Sequence, residues 1–245
     1  VKTGIQEPVD SSEIGFLDTG FRRCDEPFFN TLLTLVANEM SMADQRIYLA
    51  SRSPRRRELL KQIGVPFEVL LLREDLRRGA DVDETPLPDE SPGVYVLRMA
   101  REKAAAAARQ IAFRGLPQRP VLAADTTVVL EGEIIGKPED AEHAARILRA
   151  LSGREHRVLT AVAVALREQM ETQISVSSVR FRDLSEAEIR RYCASGEPLD
   201  KAGAYAIQGR AGAFVTRIEG SYSGIMGLPL AETAELLEKF DIPVL

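Results

Sequence analysis

Arg46-Ile47-Tyr48-Leu49-Ala50-Ser51-Arg52-Ser53-Pro54-Arg55-Arg56-Arg57-Glu58-Leu59-Leu60 changes from one periodicity to another partway along. Ile47 to Ala50 is apolar enough for a buried strand, and Ser51, Ser53 and Pro54 then break it. Beyond Pro54, Leu59, Leu60 and Ile63 recur at helical spacing, which predicts a helix beginning near Arg55. A strand, a short turn and a helix in immediate succession indicate an α/β fold. The turn carries Ser51 and Ser53 beside Arg52, Arg55, Arg56 and Arg57. Free N–H groups and the helix dipole favour an anion there, and guanidinium groups match phosphate oxygens bidentately. Two readings fit: a polyphosphate cradle, or a capped helix with a solvated basic first turn. Arginines sit poorly against the positive end of a helix dipole unless an anion joins them, which favours the cradle.

A second stretch, Val121-Leu122-Ala123-Ala124-Asp125-Thr126-Thr127-Val128-Val129-Leu130, reads as a strand buried on both faces and interrupted by one carboxylate. An ionised Asp in such a strand is costly unless it is paired, metal-bound or at an open strand end. Asp125 is either a strand-terminal group bonded to nearby backbone or a metal ligand or general base. Upstream, Asp81-Val82-Asp83-Glu84-Thr85-Pro86 is an acidic, proline-closed loop, readable as a solvated turn or as a source of hard oxygen ligands for Mg²⁺.

The rest of the chain supplies the elements around these stretches. Phe67 to Leu72 reads as a strand. Ser91 and Pro92 open a long helix as N-cap and first residue, with Val94, Leu97, Ala100, Ala104 and Ile111 as its expected buried face. The alanine run from Ala104 to Ala108 permits close packing on a sheet. Glu131-Gly132-Glu133 is a tight turn. Asp140 caps a helix striped by Ala144, Ile147, Leu148 and Leu151 and ended by Ser152-Gly153. Two strands, to Leu166 and from Thr172 to Phe181, form an antiparallel hairpin. Ser185 and Glu188 form a capping box. Gly196 to Gly209 is a glycine-rich polar connector expected to end in a strand, and a last helix covers Leu230 to Phe240.

Composition bounds the remaining possibilities. The chain has 245 residues, 44% hydrophobic and 28% charged, enough for one large α/β domain or two small ones. A net charge of -5 makes the whole molecule a poor nucleic-acid binder, so any anion site is local. Two cysteines, Cys24 and Cys193, lie far apart without metal-ligand spacing, which suggests a reducing compartment while leaving a single bridge open. With two histidines, His143 and His156, a histidine-rich zinc site is not expected, and His156 reads as structural. No apolar run is long enough to span a bilayer and no signal-peptide pattern opens the chain, so the expected location is cytoplasmic. Residues 1–41 differ in character from the rest of the chain. They are expected to be a disordered or non-native extension preceding a domain of residues 42–245, with Met42 as the expected start.

Five blocks, in order, resemble the Maf family of nucleoside triphosphate pyrophosphatases over roughly residues 46 to 245. They are Ser51 to Leu60, Ala124-Asp125-Thr126, Gly136-Lys137-Pro138, Glu197 to Gly209, and Ile218 to Leu230. Glu84-Thr85-Pro86 and Ala100-Arg101-Glu102-Lys103-Ala104 also match the family's pattern. The resemblance implies a central mixed sheet flanked by helices in a two-lobed architecture like that of inosine triphosphate pyrophosphatase, and a homodimer. It implies hydrolysis of dTTP and UTP to the monophosphate and pyrophosphate with Mg²⁺ or Mn²⁺, removal of non-standard pyrimidine nucleotides included. Asp125 falls on the family's proton acceptor and, with Glu84, on the metal site. Ser51, Arg55, Arg56, Lys103 and Lys137 fall on phosphate contacts. Thr126 and Gln208, with Arg55, mark the pyrimidine-selective branch; a neutral amide that donates and accepts suits a uracil or thymine edge. The family's link to cell-division arrest leaves a second reading, a nucleotide-binding regulator with little turnover. The Glu84–Asp125 pair favours catalysis.

Overall fold

A computed structural model of the protein describes residues 45–73 and 81–244. The expectation for residues 1–41, and Cys24 with it, lies outside the described residues. The opening stretch folds as expected: β1 (Ile47–Leu49) leads through Ser51–Ser53 into α1 (Pro54–Gln62), with Pro54 at the helix start. Pro fits there because its missing N–H has no partner in the first helical turn anyway. α1 returns the chain to β2 (Phe67–Val69), parallel to β1 with Ile47 opposite Phe67. The strand stops at Val69 rather than Leu72: Leu70 N–H still bonds Leu49 O (3.0 Å), but β1 ends there and offers no further partner.

A long helix, α2 (Pro92–Phe113), carries the chain to β3 (Val121–Leu130), again parallel to β1. β4 (Glu133–Ile135) folds back on β3 through a two-residue turn in which Glu131 and Gly132 both have positive φ, as hairpin twist requires. After α3 (Ala141–Leu151), β5 (Glu155–Leu166) and β6 (Gln169–Phe181) form the hairpin. α4 (Glu186–Cys193) opens with the Ser185–Glu188 capping box. β7 (Val215–Glu219), α5 (Tyr222–Met226) and α6 (Leu230–Glu238) complete the described chain. The sheet is mixed, in the order β2-β1-β3-β5-β6-β7 with β4 on β3.

Alternation along the strands divides the core between two faces. Tyr48, Val121, Ala123, Ala161 and Ala163 pack beneath α2, while Leu49, Leu122, Val162 and Val164 pack beneath α1 and α6. A third cluster gathers Val128, Val158, Val179 and Phe181 under α3 and α4. Ala100, Ala104 and Ala107 bring α2 close to the alanine-rich middle of β5. The expected face of this helix is corrected at two positions. Val94 is 57% exposed and Leu97 only partly buried, while Val96 and Met99 are in the core. The alanines set the stripe, and Val94 lies about 200° around the helix from Val96. The expected strand at the end of Gly196–Gly209 is also absent. That segment forms 3₁₀ turns at Glu197–Asp200 and Ala202–Ala204. Gly203 (φ 70°) lies so close to β3 that a Cβ there would sit 2.7 Å from a Val128 methyl.

One consequence of unequal strand lengths positions the site. β1 last contacts β3 at Leu122, where Ala50 N–H bonds Leu122 O (2.8 Å), and β4 joins the same edge only at Val128. Between them, this β3 edge around Ala124 to Thr126 has no strand partner among the described residues, at the carboxyl end of β1. This is where open α/β sheets bind ligands.

Candidate active site

The window in the sheet opens into a cavity of about 730 Å³. Every residue singled out from sequence except Ser51 lines it: Arg55, Arg56, Glu84, Lys103, Asp125, Thr126, Lys137 and Gln208. Ser51 stands one bond away, its Oγ accepting from Arg56 Nη1 (3.3 Å) and from Ser53 N–H (3.2 Å). Its own proton is directed by neither bond. Six basic side chains line the cavity (Arg52, Arg55, Arg56, Lys103, Lys137, Lys201) against three carboxylates (Glu84, Asp125, Asp200). An excess of three positive charges on a chain of net charge -5 is the charge balance that a local anion site requires.

Because neighbours along a strand face opposite ways, Asp125 and Thr126 reach two different walls. On the α2 side, Lys103 Nζ lies 2.7 Å from Asp125 Oδ1 and 2.6 Å from Glu84 Oε1. Burial alone would lower the Lys103 ammonium, but Asp125 and Glu84 together hold its pKa above the ordinary value. Burial would likewise raise the Glu84 carboxyl; Lys103, then Lys137 and Arg56, hold it below the ordinary value.

Glu84 keeps its place because its loop is strapped to α2. Tyr95 donates its phenolic hydrogen to Glu84 O (3.0 Å), and Arg98 Nη2 donates to Thr85 O (3.1 Å). Arg98 also forks onto both Glu90 oxygens at 2.7 and 2.6 Å, which pulls the Glu90 carboxyl down to about 2. Tyr95, Arg98 and Lys103 thus act from a single helix on the same acidic loop. The sequence places Arg98 only on a polar side and gives Tyr95 no role; a contact between a helix side chain and a loop carbonyl leaves no periodic trace.

On the α1 side, Arg56 is a hub. Its Nε donates to Gly227 O (2.7 Å) and its Nη2 to Thr126 Oγ1 (3.2 Å), besides the bond to Ser51. Burial lowers both the Arg55 and the Arg56 guanidinium, opposed by Asp200 near Arg55 and by Asp125 near Arg56. Thr160 Oγ1 donates to Gly224 O (2.7 Å) and lies 3.0 Å from Thr126 Oγ1. With the Thr160 proton directed to that carbonyl, the Thr126 proton points to Thr160, and towards the cavity Thr126 presents only a lone pair.

The 3₁₀ segment forms the remaining wall. Glu197 accepts from Tyr192 Oη (3.0 Å) and from Arg210 N–H (3.1 Å), and Gly203 N–H bonds Gly136 O (3.1 Å), which fixes the backbone beneath Gln208. Lys201, paired with Asp200, and Asp200 itself line the cavity as well. Both fall in the Glu197 to Gly209 block of the family resemblance, but the sequence gives neither a role of its own. His156 lies away from this cavity. It is buried, its Nε2 is 2.9 Å from Tyr205 Oη, and its ring meets Phe181 edge to face, a structural histidine as expected.

Among the described residues no group of three or more His, Cys, Asp or Glu is placed to hold a metal ion. The oxygen pair of Glu84 and Asp125, already gathered on one cation, does fit a hard ion that takes one or two carboxylates and completes its shell with water and substrate phosphates. Among the described residues no helix is long and apolar enough to cross a membrane.

Comparison with known proteins matches residues 46–240 to the Maf-like protein family. A protein of Nitrosomonas europaea, named dTTP/UTP pyrophosphatase, is 60% identical over 198 residues, 81% of this chain and 96% of that one. A protein of the same name from Aromatoleum aromaticum is 60% identical over 206 residues, 84% of this chain and all of that one. Among solved structures, the Staphylococcus aureus Ham1 protein is similar at a TM-score of 0.43 and 17% identity, covering 80% of this chain and 97% of that one.

Proposed function

The chain belongs to the Maf family, and from that premise we propose that it hydrolyses dTTP and UTP to the nucleoside monophosphate and pyrophosphate. One observation carries the reading: a cavity with excess positive charge opens on the unpaired edge of β3, with two carboxylates gathered at one wall. A polyphosphate needs the first feature, and an attacking water needs the second.

In this reading the phosphates lie against Ser51, Arg55, Arg56 and Lys137. Asp125 takes a proton from water as its oxygen bonds the α-phosphorus; the bridge between the α- and β-phosphates breaks, and pyrophosphate leaves with the electron pair. Glu84 and Asp125 would hold Mg²⁺ or Mn²⁺, which supplies positive charge to the reacting phosphate when bound. Fixed guanidinium and ammonium groups stabilise the charge that gathers on the leaving group. Thr126 and Gln208 select the base. A lone pair from Thr126 suits the N3–H of uracil and thymine and disfavours cytosine, whose N3 is itself an acceptor. The family resemblance adds a homodimer to the proposal, which light scattering tests by mass.

The experiment is hydrolysis in ¹⁸O-water of dTTP, UTP, CTP, GTP and 7-methyl-GTP. The label is expected in dTMP and UMP, with dTTP and UTP the fastest. Label in pyrophosphate, or a purine substrate leading the panel, would overturn the mechanism or the base assignment respectively.

A further inference from the structure

We propose that the Lys103 ammonium is the resident counter-cation of the Glu84–Asp125 pair, and that it yields this place to the divalent ion and turns to the nucleotide's phosphates. The inference rests on the pyrophosphatase reading and deepens it.

Three observations support it. Lys103 Nζ stands within 2.7 Å of one oxygen of each carboxylate, so the place between them already holds a cation. A metal that binds an oxygen from each carboxylate at about 2.1 Å cannot share that place with an ammonium, because both the space and the charge conflict. Second, Lys103 differs from its neighbours in how it is tethered. It ends a flexible four-carbon stem, whereas Glu84 is on a loop held by Tyr95 and Arg98, and Asp125 is on a central strand. Third, Lys103 has somewhere to go. It lines the main cavity and also a small adjoining one of about 50 Å³ shared with Ser51 and Arg56, the residues of the phosphate-facing turn.

The arrangement also balances charge at the carboxylate pair. Two carboxylates brought together without a cation repel each other. Lys103 supplies the opposing charge at that place. Its transfer to a phosphate then couples nucleotide arrival to the opening of the carboxylate pair, so each ligand favours the other.

A purely structural ion pair predicts the opposite sign for one measurement. If Lys103 only ties α2 to β3, its removal loosens Glu84 and Asp125 and weakens metal binding. If it is the counter-cation, removal strengthens it. Mn²⁺ affinity of the nucleotide-free protein, measured by calorimetry and by the electron paramagnetic resonance signal of free Mn²⁺, is therefore compared among wild type, Lys103→Met and Lys103→Gln. The expected result is a Kd at least tenfold lower in the variants; an unchanged or higher Kd overturns the proposal. Should neither variant fold, wild-type protein crystallised with Mn²⁺ and α,β-methylene-dTTP gives the answer directly. Lys103 Nζ on a phosphate oxygen supports the exchange, and Nζ still between both carboxylates refutes it. Turnover of dTTP by the wild type, run in parallel, separates the two claims. An active enzyme with an unchanged variant Kd sinks this inference alone, and an inactive wild type sinks the function while the Mn²⁺ comparison still reads.

Discussion

Lys103 and His156 are both basic groups withdrawn from solvent beside the same sheet, and they behave in opposite ways. Lys103 has two carboxylates within 2.7 Å and its pKa is raised. His156 has a tyrosine hydroxyl and aromatic rings, and burial pushes its pKa down to about 4. The difference lies in what surrounds each. Lys103 stands at the window where β3 has no partner strand among the described residues, lining the cavity; His156 is sealed in the cluster beneath α3 and α4. Burial by itself discharges a base. A buried base that stays charged beside two carboxylates in an open cavity is the signature of a site.

The comparison can be broken at several points. After Asp125→Asn, the largest effect is expected at Glu84→Gln, which removes one of the two carboxylates: kcat/KM falls by about 10- to 100-fold, with part of the loss recovered at high Mn²⁺. Retention of wild-type kcat/KM at low Mn²⁺ would remove Glu84 from the site. Arg98→Lys, which keeps a charge but loses the fork onto Glu90 and Thr85, is expected to raise the apparent metal constant by about tenfold with kcat less affected. A loss confined to kcat would contradict a positioning role.

The smaller expectation concerns stability at His156. The unfolded chain takes up a proton near pH 6.5, whereas the folded protein resists it until about pH 4. Between those values the unfolded state binds more protons, so stability falls as pH drops. The loss amounts to roughly 3 kcal/mol across the window, at about 1.4 kcal/mol for each pH unit between the two values. Denaturant titrations of wild type and His156→Phe from pH 4 to 7 should show a shallower pH slope in the variant; parallel slopes would contradict the assignment.

The features legible in the sequence are local ones. The strand–turn–helix of Arg46 to Leu60, the Ser185–Glu188 capping box and the buried strand around Asp125 each depend on residues a few positions apart. The apolar run of β3 marks Asp125 as anomalous even without a partner in view. The partner itself is not legible, because Lys103 and Asp125 are 22 residues apart and meet only once α2 lies on β3. Thr126 reads as a base selector, yet its bond to Arg56 depends on α1 and β3 arriving together across 70 residues. Gly196 to Gly209 differs from its expected shape. Its strand-like Tyr205-Ala206-Ile207 is buried by 3₁₀ turns rather than by pairing, and glycine-rich sequence does not distinguish the two.

Asp125, at the edge of β3 left open between β1 and β4, is the group proposed to take the proton from the attacking water. Pyrophosphate release from dTTP with Mg²⁺ or Mn²⁺ by wild type and Asp125→Asn tests it most directly, because the substitution keeps the shape and removes the charge. Metal-dependent turnover is expected in the wild type, and the variant is expected to lose it by about 10² to 10⁴-fold while nucleotide binding persists. Full turnover by Asp125→Asn would contradict it.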